Sequence, residues 1–279
     1  MRVYKYCDRC GIDILRKLRL KVTPPNAFND IFEFTPTAIG AIPVKWAEAS
    51  EIPEYAVEIR KRLAARGKKF VGSDEDFRNF IRKEMREPVF ASADQVAALC
   101  KDILDHISKT TGIICFSKRR NNLLMWSHYA DGHNGLVIGF DIPPELMPEK
   151  QIFDVEYCTR RLPWNFDLAS GKAEWASEIK KLIQRESIHW RHEKEVRILW
   201  SLEGLTQEID DKKRLCYYTS IPLAMISEVI FGYRCDQNLE ATARLWIEKN
   251  KLSVQLNRAE TSDSRFSLTS KSAWEKQSL

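Results

Sequence analysis

IICFSKRRNNLLMWSHYADGHNGLVIGFD, residues 113–141, is the stretch on which the reading of this 279-residue chain turns. Ile113, Ile114, Cys115 and Phe116 make a short apolar run that predicts a buried strand, and residues 136–140 predict a second one opening at Gly135. Between the two stand Ser117, Trp126, Ser127, His128, Tyr129, Asp131, His133 and Asn134. That is more hydrogen-bonding side chains than a connection between core strands needs. The run is therefore either a polar helix capping a sheet or one wall of a functional cleft.

Upstream, Val3-Tyr4-Lys5-Tyr6 alternates as a first strand that carries a basic residue, and residues 12–20 read as a short helix or strand leading out of it. Pro24-Pro25-Asn26 breaks the pattern. Ala27-Phe28-Asn29-Asp30-Ile31-Phe32-Glu33 follows as a turn, with Asn29 or Asp30 as a cap and Phe28 and Phe32 in the core. Residues 44–106 are charged, with Ile59 and Leu63, then Phe77, Phe80, Ile81 and Met85 at helical spacing, which predicts a helical insertion. Val96, Leu99, Ile103 and Ile107 share one face of a helix that feeds the strand at Ile113.

Downstream, Pro143-Pro144 ends the second strand, residues 152–157 supply a third, and residues 174–186 are helical. The period then changes. Val196, Ile198 and Trp200 alternate with Arg197 and Leu199, so a strand begins near Glu195. Glu193 and Glu195, two apart in extended chain, point to one side, where like charges repel unless one pairs with a cation or works in a site. Neutralisation at the surface by Arg191 or Lys194 is the competing reading. Strands at 215–221, 226–231 and 254–257 and a helix at 239–249 complete residues 1–260 as a single domain. The polar tail, 261–279, carries a final strand and partial disorder.

Composition narrows the classes. With 44% hydrophobic residues the chain can bury a normal core, and its net charge of +5 permits a nucleic-acid or nucleotide partner without requiring one. No apolar run approaches the roughly 18 residues of a membrane span, and MRVYKYCDRC has no apolar signal core, so a cytoplasmic protein is expected. Seven scattered cysteines fit reduced thiols, and Cys7-x-x-Cys10 has no second metal-binding half. P-loop, Gly-x-Gly-x-x-Gly and Gly-x-Ser-x-Gly patterns are absent from the sequence.

Several spaced motifs carry a family resemblance. They are Tyr4-Lys5-Tyr6, Phe28-Asn29-Asp30-x-Phe32-Glu33, the run from Cys115-Phe116-Ser117 through Leu124-Met125-Trp126-Ser127-His128-Tyr129 to Gly135, Trp190-x-x-Glu193-x-Glu195-x-Arg197, and Ile230-Phe231-Gly232. Together they resemble the bacterial family called domain of unknown function 2971, with Ile31 where that family usually has proline. More distantly, the order VYKY, IICFS, a helix, GLVIGF, EKEVRIL is similar to that of ADP-ribosyltransferase folds. This second likeness implies an α/β (α+β) fold around a split, mixed or antiparallel sheet, and an enzyme that uses NAD to modify a macromolecule, protein or nucleic acid, as a toxin or phage-defence effector with a neutralising partner protein.

In the same likeness Glu195 takes the catalytic place and Glu193 the accessory one. Lys5, Tyr6, Ser117, Trp126, His128 and Tyr129 take the cofactor-binding places, Lys5 standing where Arg or His is usual and Tyr129 where an aromatic ring stacks on nicotinamide. Two rivals remain open: a non-catalytic nucleic-acid-binding or interaction module built on Lys118-Arg119-Arg120, and a nuclease holding a divalent metal with His128, Asp131, His133 and Glu195.

Overall fold

The computed structural model describes residues 1–36, 93–143, 152–162 and 172–273, with scattered positions between 60 and 79. The chain divides into two compact units, one of residues 1–33, 104–159 and 186–279, the other of residues 34–103 and 160–185. Most of the expected insertion at 44–106 lies outside the described residues, as does the end of the tail after 273. Within the second unit, residues 93–103 begin a helix, α2 (Ala93–Thr110), and Lys172–Gln184 forms another, α4.

The first unit is built on a mixed sheet of eight strands. In chain order they are β1 (Arg2–Cys7), β3 (Thr111–Ser117), β4 (Leu136–Asp141), β5 (Ile152–Asp154), β8 (Glu195–Ser201), β11 (Ile226–Phe231), β12 (Gln255–Thr261) and β13 (Leu268–Ser272). Their spatial order is β13-β12-β11-β4-β1-β3-β8-β5. The β11–β12 pair is parallel, as its connection through helix α5 (Gln237–Lys249) allows, and the other neighbours are antiparallel. Smaller sheets are formed by β2 (Arg19–Val22), β9 (Thr206–Ile209) and β10 (Leu215–Ser220), and by β6 (Glu156–Cys158) with β7 (Arg185–Ser187). An α/β architecture around a large mixed sheet is thus present.

Alternation sorts each central strand onto two faces. Val3, Ile114, Phe116, Ile138, Phe140, Val196 and Ile198 fill one face, where Ile12 and Leu15 of α1 (Ile12–Lys17) and Ala243 and Ile247 of α5 join the same core. The opposite face carries Tyr6, Val137 and Ile230, covered by Met125 and Trp126 of α3 (Leu123–Tyr129). The stretch that was ambiguous between helix and strand is both: α1 ends where Leu18 takes φ 48, a left-handed stop without glycine, and β2 starts at Arg19. The strand expected at 152–157 is two short ones parted at Val155, β5 in the large sheet and β6 in the small one.

One irregularity positions the site. β1 pairs with β4 over six residues, from Arg2↔Asp141 to Cys7↔Leu136, but with β3 only at Tyr4↔Ser117. Beyond that pair the strands part. Further along β3, Ile113 exchanges both backbone hydrogen bonds with Thr23, at 2.9 and 2.8 Å. At Cys115, inside the gap, the carbonyl accepts from the Lys5 ammonium at 3.0 Å. A side chain here replaces a ladder bond, and the gap becomes one wall of a cavity.

Candidate active site

The cavity has a volume of about 310 Å³ and lies wholly within the first unit. Lys5, Tyr6, Ser117, Tyr129, Glu193 and Glu195 all line it, together with Lys21, Phe28, Asn29, Asp30, Glu33, Cys115, Glu186 and Trp190. Six of the eight residues that sequence reasoning nominated therefore share one cleft. The other two do not line it. Trp126 is fully buried between the sheet and α3, its indole N–H on the Arg120 carbonyl at 3.0 Å and its ring edge-on to Tyr6, and His128 sits on the exposed side of α3.

Short polar links set the wall at the ends of β3 and β8. The Ser117 hydroxyl donates to the Glu193 carbonyl at 2.5 Å and accepts from the Arg119 amide at 3.0 Å, so this serine braces the turns on both sides. Asn122 caps α3 by accepting from the Met125 amide, while its Nδ2 donates to the His192 carbonyl at 2.8 Å. The Tyr6 hydroxyl accepts from the Asn122 amide and donates to the Arg119 carbonyl. Helix start, first strand and glutamate turn are thereby held in one frame.

Opposite them, the turn at 28–33 differs from expectation. Asp30 does act as a local acceptor, from the Phe32 amide at 2.9 Å, and its other oxygen takes the Trp190 indole N–H at 2.7 Å. Phe32, however, is exposed rather than in the core, and Phe28 faces the cavity. Glu33 at the end of the turn is buried.

Glu33 belongs to a cluster that the sequence did not announce. Arg197, two residues beyond Glu195 on the same side of β8, is wholly buried, and its Nη2 donates to Glu33, to Glu186 at 3.0 Å and to Glu195 at 2.9 Å. One cation serves three carboxylates. Burial and the crowding of neighbouring carboxylates push Glu186 up to about 10 and Glu33 up to about 8, against the pull of Arg197, so both hold protons near neutrality. The guanidinium itself keeps its charge: burial works against it, and Glu195 and Glu33 more than offset this.

Glu193 stands apart from that cluster. It is 7% exposed, one carboxylate oxygen has no hydrogen-bond partner among the described residues, and Tyr129 holds the side chain by a hydroxyl that also meets Asn29. Burial raises its pKa to about 7, with the Tyr129 bond restraining the rise. A buried carboxylate that titrates at neutrality, with a free oxygen in a cleft, is suited to proton transfer.

Metal binding has less to rest on. Among the described residues the ligand atoms that gather are those of Glu33, Glu186 and Glu195, within 4.8 Å of one another, and the Arg197 guanidinium already reaches all three. The histidines are elsewhere: His133 stacks on Trp126, and Asp131 pairs with Arg9 at 2.8 Å. Arg197, Glu33 and Glu186 are the site residues that sequence reasoning passed over. For Arg197 the signal was present, since Glu-x-Glu-x-Arg in a strand repeats at period two.

No curated protein and no solved structure matches the chain. Residues 125–198, which include Tyr129, Glu186, Glu193, Glu195 and Arg197, match the model of the family described as protein of unknown function (DUF2971).

Proposed function

We propose that the cavity binds NAD and that the chain is an ADP-ribosyltransferase-like enzyme acting on a macromolecule. The observation that carries this reading is the convergence of Lys5, Ser117, Tyr129, Glu193 and Glu195, drawn from three distant parts of the sequence, on one cleft at a parting of the sheet. NAD supplies a ribose carbon whose bond to the pyridinium nitrogen breaks with its electron pair, releasing neutral nicotinamide.

Every other part falls to the chain. Phe28, Tyr129 and Trp190 give aromatic surface for the ring, and Lys5 and Lys21 give positive charge for the pyrophosphate. Glu195, oriented by Arg197, offsets the positive charge that develops on the ribose. Glu193 takes the proton of the acceptor group as that group's electron pair closes on the ribose carbon. Less supports the nuclease alternative, whose residues are dispersed: Glu195 lines the cavity, His128 is exposed on α3, Asp131 pairs with Arg9 and His133 stacks on Trp126.

The test is incubation with NAD labelled in the adenylate half and a cell extract, following released nicotinamide and label on macromolecules. Wild-type protein is expected to release nicotinamide. Glu195→Gln should lower the rate about 100-fold or more, the scale of losing one preorganised charge at a transition state. Unchanged turnover in a folded Glu195→Gln variant, or none in the wild type with any extract, overturns the reading.

A further inference from the structure

Next to Ser117, Glu193 and Glu195, which line the cavity, the chain carries a group of exposed cations. Two turns meet there, 118–122 after β3 and 191–194 before β8. They are fastened by the Lys118 amide on the Lys194 carbonyl at 2.9 Å, by Asn122 on the His192 carbonyl and by Ser117 on the Glu193 carbonyl. Between them they carry Lys118, Arg119, Arg120, Arg191 and Lys194. Lys118 pairs with Asp154 at 2.6 Å and Arg120 with the buried Glu228 at 2.5 Å. Arg119, Arg191 and Lys194 are exposed and make no ion pair among the described residues.

Three uncompensated cations on two mutually braced turns differ from the usual solvated lysine face, where opposite charges alternate. Glu193 and Glu195 are buried behind the turns, and Asp154 is taken by Lys118. Such a platform suits a chain of phosphates, which it can hold through charge and arginine forks while a nucleotide unit reaches inward.

We infer that the turns at 118–122 and 191–194 form a docking surface for the phosphodiester backbone of a single-stranded nucleic acid. Taken as the acceptor of the proposed transfer, that strand rests on the reading above; as a binding surface it stands without it.

The experiment measures binding alone, without NAD, so its failure is distinct from a failure of the NAD reading. The full chain is titrated against fluorescein-labelled 20-mer DNA and RNA by anisotropy at several salt concentrations. The triple variant Arg119→Gln, Arg191→Gln, Lys194→Gln should bind at least tenfold more weakly. The slope of log affinity against log salt should also be shallower by about 2, at roughly 0.7 for each phosphate of a single strand that is no longer neutralised. The equally charged control Lys212→Gln, Lys249→Gln, Arg265→Gln, exposed sites remote in sequence, should keep wild-type binding. Equal loss in both triples, no binding by the wild type, or displacement by poly-glutamate as effective as by the oligonucleotide overturns the proposal. The last outcome would assign the surface to an acidic protein.

Discussion

Glu193 and Glu195 share a cavity but not an environment, and the difference predicts how each variant behaves. Glu195 is tied to Arg197, so replacing it also unsettles Glu33 and Glu186. Glu193 is tied to Tyr129, and replacing it should leave the cluster standing. As the group that accepts a proton, Glu193 must be ionised to work. The rate of nicotinamide release onto acceptor should therefore rise with pH through about 7, the value to which burial pushes this carboxyl. Glu193→Gln should abolish that rise and slow transfer about 100- to 1,000-fold, with a thermal midpoint near that of the wild type. A pH–rate profile of identical shape in the variant would remove Glu193 from proton transfer. The pairing of these two glutamates was legible from their spacing. The other two carboxylates on Arg197 were not, because Glu33 and Glu186 come from a turn and from a three-residue strand whose local sequence gives no reason to bury a carboxylate.

At the level of elements, the strands that cross the core were readable because apolar alternation and burial coincide in them. β3, β4, β8 and β11 lie where residue period placed them. β9 was missed for the converse reason: Thr206–Ile209 is exposed throughout and has no apolar face to betray it. The parting of β1 from β3 was equally hidden, since it depends on which neighbour claims the edge of β3, and Thr23 claims it at Ile113. Lys5 is the residue that makes the parting tolerable, by satisfying the Cys115 carbonyl. Lys5→Met keeps the stem and removes the donor, and it should cost about 1–3 kcal/mol in urea unfolding with an unchanged m-value. The junction where β1 ends beside the start of β4 is held by close backbone approach. The Gly232 amide donates to the Gly135 carbonyl at 2.9 Å, and a methyl group on Gly135 would be driven into the Cys7 carbonyl oxygen. Gly135→Ala should destabilise by about 3 kcal/mol, the upper range for overpacking, and the same unfolding assay detects it.

Across the whole molecule, length and composition indicated an ordinary globular core, and among the described residues no helix is long and apolar enough to cross a membrane. What composition could not convey is where the charge sits. A chain with a formal net charge of only +5 gathers Asp30, Glu33, Glu186, Glu193 and Glu195 around one cavity. The buried carboxylates make stability depend on pH in a definite direction. Glu33 and Glu186 titrate at about 8 and about 10 in the folded protein, against 4.5 for an ordinary glutamate. Between those values the folded state binds more protons than the unfolded state, so the contribution is complete below about 4.5 and drains away as pH rises toward the folded values. For an isolated group, three pH units cost about 4 kcal/mol. Three carboxylates share one guanidinium, so the loss between about pH 6 and pH 9 is smaller than this. Glu186→Gln preserves the shape and hydrogen bonding of the protonated acid and has no proton to lose. Its Tm should therefore gain on that of the wild type by roughly 5 °C as pH is raised from about 6 to 9. Parallel Tm curves for the two proteins over that range would mean that Glu186 is ionised at Arg197 throughout, and that the cluster is an ordinary charged network instead of a store of protons beside the site.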